Sequence, residues 1–84
     1  MTTYNENLAL EWLNTVDSMC SWEVAPDCEG TAEQRIESAM INTQDTYAEG
    51  VITIVEQPAY LRSHACILDD PEALAALPPL PVYE

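Results

Sequence analysis

Apolar residues recur along this chain with the period of a helix. Leu8, Trp12, Val16 and Met19 stand at i, i+4, i+8 and i+11, with Leu13 and Cys20 flanking the same face. Thr3 followed by Glu6 has the form of a capping box ahead of that stripe. The pattern predicts a first helix ending near Trp22, since Pro26 disfavours helical backbone at Ala25. Pro26, Asp27 and Gly30 mark residues 23–30 as a loop. Thr31 and Gln34 form a second capping-box match. Behind it the stripe Ala32, Ile36, Ala39, Met40, Thr43, Tyr47, Gly50, Val51, Ile54 and Val55 keeps a 3.6-residue period. Two readings compete here. One is a single helix over 32–57, stopped before Pro58; the other ends the helix at Gly50 and makes 51–56 a short strand. The unbroken phase favours the long helix and the β-branched run favours the strand; we take the helix as the leading expectation.

Pro58 suits a helix start, and Leu61, Ala65 and Leu68 follow at i, i+4 and i+7, with Cys66 and Ile67 beside them. Asp70 as N-cap, Pro71 at the first helical position and Glu72 in the first turn predict a short helix over 71–77. Residues 78–84, with three prolines, are expected to be extended. The expected fold is therefore all-α: a small single-domain bundle of three to four helices over residues 1–77 with a proline-rich tail, the alternative being α+β with a strand at 51–56.

Composition then narrows the function. The chain has 84 residues, 48% of them hydrophobic, too many for a disordered acidic tail. Fifteen Asp and Glu face two arginines, Arg35 and Arg62, with no lysine, for a formal charge of −13. Direct nucleic-acid binding needs a basic footprint that releases counterions from phosphates, and two separated arginines do not supply one. The same sign argument disfavours anionic membrane surfaces. The start of the chain has no basic, apolar signal pattern, and Val51–Val55 is far too short to span a bilayer. With an odd cysteine count (Cys20, Cys28, Cys66), this predicts reduced thiols and a cytoplasmic protein.

No catalytic constellation is present, so no enzyme activity and no cofactor are expected. Cys20, Cys28, His64 and Cys66 are zinc-ligand types, but without a C-x2-C pair their spacing does not suit a structural zinc site, and no metal is expected. Asp69-Asp70-Pro71-Glu72 lacks a calcium-loop arrangement. The Pro78–Pro81 run matches the broad type of a polyproline ligand, but it reads better as a segment packing Leu80 and Val82 back onto the bundle.

What remains is the acidity itself. Glu33, Glu37, Asp45 and Glu49 fall largely opposite the apolar stripe of the second helix, and i, i+4 carboxylates there lie about 6 Å apart along the axis, close to the phosphate spacing of a nucleic-acid strand. Glu23, Asp27 and Glu29 add a second group in the preceding loop, and Trp22 beside them is a candidate anchor, although a core position suits it as well. Taken singly, each carboxylate reads as part of a solvated face. As a set they exceed the roughly 2–8 net charges of an ordinary small domain and repel one another. In charge and size the chain is similar to small phage-encoded inhibitors such as anti-CRISPR and anti-restriction nucleic-acid mimics. That similarity implies a basic, nucleic-acid-binding partner blocked by carboxylates set where phosphates would sit. The alternatives are an immunity protein or antitoxin against a nuclease toxin, and a non-catalytic adaptor or structural component whose contacts are mainly hydrophobic. Self-association is left open.

Overall fold

A computed structural model describes residues 3–20 and 28–83. Its elements are α1 (Tyr4–Asp17), α2 (Ala32–Ala48), a 3-10 turn (Ile54–Glu56), α3 (Gln57–Arg62), α4 (Ala65–Leu68) and α5 (Pro71–Ala76), with no strand among the described residues. The protein is a small all-α domain. No described helix is long and apolar enough to cross a membrane.

Local sequence accounts for most helix starts. Thr3 accepts from the Glu6 backbone N–H, and Thr31 and Gln34 close a reciprocal capping box on α2. Asp70 accepts from the N–H groups of Glu72 and Ala73 at the head of α5, where Pro71 needs no donor. Three boundaries differ from expectation. Helix α1 stops at Asp17, short of Trp22. Helix α2 does not run to residue 57: it stops at Ala48, because Gly50 adopts φ +82°, which breaks the i→i−4 ladder. Nor is the following stretch a strand; after a bend at Val51 and Ile52, the 3-10 turn leads straight into α3. The segment after Pro58 is also two helices, divided at Ser63 and His64, where His64 Nδ1 accepts from the Cys66 N–H and starts α4.

Helix α2 is the hub. It packs on α3, α4 and α5, while α1 packs on the 3-10 turn and α3. Trp12, Val16, Ile36, Met40, Leu61 and Ile67 form the centre of the core. Burial of an aliphatic side chain of this size stabilises by roughly 1.5–3 kcal/mol relative to exposure. The C-terminal segment is fastened at Pro78, whose carbonyl accepts from Trp12 Nε1 and from the Arg62 guanidinium, both at 3.2 Å. Leu77 is buried at the same end, whereas Leu80 is half-exposed and Val82 is 85% exposed, against the expectation that both pack back onto the bundle.

The thiols also depart from expectation. Cys28 and Cys66 form a disulfide with a Cα–Cα separation of 5.1 Å, joining the approach to α2 to helix α4. Only Cys20 is a free thiol among the cysteines. The expected state was three reduced thiols. The pairing was not visible because Cys28 and Cys66 are 38 residues apart and meet only when α4 folds onto α2.

Candidate partner surface

Four of the sequence-predicted partner residues are exposed: Glu29 ahead of α2, Glu33 in its first turn, Asp45 near its end and Glu49 at its C-cap. Trp22, Glu23 and Asp27 lie outside the described residues. Glu37 is a correction. Its side chain is fully buried, so it cannot meet a partner on this surface. Burial first, and then the charges of Glu37 and Asp17, push the Cys20 thiol up to about 11. The buried face of α2 is wider than the apolar stripe suggests and takes in position 37.

The loss of Glu37 changes the geometry of the acidic face. The i, i+4 row runs 33, 37, 41, 45, 49. With Glu37 inside and Ile41 at the middle position, Glu33 is separated from Asp45 by about 18 Å of helix axis and about 120° of rotation. Asp45 and Glu49 keep the roughly 6 Å spacing. The surface therefore holds acidic patches at the two ends of α2 and no continuous ladder of carboxylates.

Few cations face these patches. Arg35 is partly exposed: its guanidinium pairs with Asp70 and Glu72 and donates to the Gly30 carbonyl, next to Glu29. This arrangement raises the Arg35 pKa further, chiefly through the hydrogen bond to Asp70, and lowers that of Asp70 through the same bond. Arg62 donates to the Pro78 carbonyl. The outward charge is left to carboxylates such as Glu11, Glu29, Glu33, Asp45, Glu49 and Asp69, all exposed. His64 caps α4 and Cys28 and Cys66 form the disulfide, so three of the four candidate zinc ligands have structural roles.

Sequence reasoning missed a second feature. A groove of about 500 Å³ is lined by Ile52, Val55, Glu56, Ala59, Tyr60, Ser63 and Tyr83. Through Val55, Ala59 and Tyr83 it continues into a hollow of about 220 Å³ beside Pro58, Leu80 and Pro81. The β-branched run 51–55 was the signal available, but a continuous helix through Gly50 would have placed those side chains elsewhere. A further cleft of about 420 Å³ lies between α1 and α2, lined by Leu10, Leu13, Met40 and Tyr47 with Asn14, Asp17, Gln44 and Gln57.

No protein family matches the chain, and comparison with curated proteins and with solved structures finds no match.

Proposed function

We propose that this chain is a small acidic inhibitor that binds and blocks a basic, nucleic-acid-binding protein by setting carboxylates against the cationic residues that would hold phosphates. The observation that carries this reading is the fate of the two arginines. Arg35 is tied to Asp70 and Glu72 and Arg62 to the Pro78 carbonyl, so two partly exposed cations stand against the many exposed carboxylates of a chain of charge −13. Such a field draws basic surfaces together and repels phosphate. The interrupted row on α2 argues for paired patches, Glu29 with Glu33 and Asp45 with Glu49, rather than strand-like mimicry. Inhibition is by occlusion and needs no cofactor or chemistry of its own. Phage anti-CRISPR and anti-restriction proteins are the class this describes; an immunity protein or antitoxin facing a nuclease toxin would use the same physics. Such partners work in the cytoplasm, where thiols are kept reduced. The reading therefore carries the expectation that the acidic surface functions without the Cys28–Cys66 bond.

The test is capture of a partner from bacterial lysate at low salt, identified by mass, followed by competition. A nucleic-acid-binding protein released both by duplex DNA or RNA and by half-molar NaCl is the expected result. Reversal of charge at Asp45 and Glu49 should weaken retention. Binding that is indifferent to salt and to nucleic acid would remove the proposal and favour the adaptor.

A further inference from the structure

The groove beside α3 is apolar, open and already shaped. Ile52, Val55, Ala59, Tyr60 and Tyr83 line it. Tyr60 is held in place from behind: its hydroxyl lies 3.5 Å from Asn42 Oδ1 and 3.4 Å from Thr46 Oγ1, both on α2. An occupant would therefore meet a wall that needs little ordering, which lowers the entropic cost of binding.

Charge decides which occupant fits. Among the described lining residues the one carboxylate is Glu56, which is exposed, and no arginine lines the groove. Glu49, also exposed, stands just ahead of Ile52 in the chain. A second copy of this protein would bring another −13 to the contact, and an acidic peptide would be repelled in the same way.

We propose that this groove takes a short basic segment of the partner protein, its apolar residues on Val55 and Ala59 and its lysine or arginine side chains at Glu56. This rests on the reading of the protein as a binder of basic partners. It adds the contact that supplies specificity, since carboxylate patches alone attract any basic surface, whereas an apolar anchor in a fitted groove selects among them.

The experiment uses the full chain, isotopically labelled, titrated with three synthetic peptides: Trp-Leu flanked by lysines, Trp-Leu flanked by glutamates, and Ser-Ser flanked by lysines. The first should bind and shift the amide signals of Ile52, Val55, Ala59 and Tyr60, with the other two much weaker. Ala59→Glu, at an exposed position of α3 that lines the groove, should weaken it by about tenfold or more by placing a carboxylate in the apolar lining. Glu56→Gln keeps an amide oxygen for the Thr53 N–H, which Glu56 now accepts at 2.8 Å, and should flatten the salt dependence while the fold is kept. Shifts confined to Asp45 and Glu49 would overturn the groove and leave the basic-partner reading standing. Equal binding of the glutamate-flanked peptide would overturn the charge argument on which both rest. Absence of binding by the lysine-flanked Trp-Leu peptide would overturn the groove proposal outright.

Discussion

Asp70 joins two structural tasks in one side chain. Its Oδ1 caps α5, and its Oδ2 takes the Arg35 guanidinium from α2. The carboxyl pKa is held below its ordinary range chiefly by the Arg35 hydrogen bond; desolvation opposes this, and the cap donors and the Arg35 charge add smaller lowering effects. A carboxylate whose folded pKa is depressed contributes stability in full above its unfolded pKa, near 3.9, and loses it as pH falls through the lower folded value. Asp70→Asn keeps a capping oxygen but removes the charge facing Arg35. Urea unfolding at pH 7 should find the variant less stable than the parent, and the gap should close as pH drops below about 4. A gap that persists unchanged at pH 2 would mean that Asp70 acts through shape rather than charge. The cap was legible because Asp70-Pro71-Glu72 is a local signal. The ion pair was not, since Arg35 and Asp70 are 35 residues apart and only the packing of α5 on α2 brings them together.

At the level of elements, the decisive position is Gly50. The apolar phase runs through it unbroken, which is why a long helix looked right, yet periodicity reports which face would be buried and says nothing of backbone φ. At φ +82° an L side chain is strained, and a Cβ there would meet nothing within 4 Å, so the strain is the whole cost of adding one. Gly50→Ala should therefore destabilise by about 1 kcal/mol, roughly 4–8 °C in melting temperature for a domain of this size. Gly50→Asn should lose less, because Asn tolerates the left-handed region. Equal melting of parent and Ala variant would restore the long helix as the better description. The helix caps and the proline starts were readable from three or four adjacent residues and hold in the structure, although only Thr31 with Gln34 closes a full capping box and Thr3 makes the N-cap bond alone. The division at His64 was not, because Leu61, Ala65 and Leu68 kept helical spacing across it; Leu68 is 56% exposed as a result. The acidic row was half legible: Ile41 interrupts it in the sequence itself, whereas the burial of Glu37 depends on tertiary packing that helical periodicity does not report.

The whole molecule balances a small core against its own field. A chain of this length buries only about 60–65% of its unfolded surface, and a charge of −13 with only two arginines adds self-repulsion that favours expansion. The Cys28–Cys66 bond works against that expansion. It closes a loop with a sequence separation of 38 and so removes conformational freedom from the unfolded chain. For a loop of that length the entropy amounts to about 4 kcal/mol, the upper end of what such bonds deliver. Repulsion and staple can be separated because salt acts on only one of them. Reduction with dithiothreitol, or the paired Cys28→Ser and Cys66→Ser substitutions, should lower the melting temperature at low salt by roughly 10–20 °C. Half-molar NaCl, which shortens the screening length to about 4 Å, should restore part of the loss in the reduced protein and raise the oxidised protein less. Calorimetry of both forms at both salts gives all four values. Coincident melting of oxidised and reduced protein would mean that the bond constrains nothing that matters. A reduced protein insensitive to salt would mean that the carboxylates are too dispersed to strain the fold, and with that the argument for a concentrated acidic surface would weaken as well.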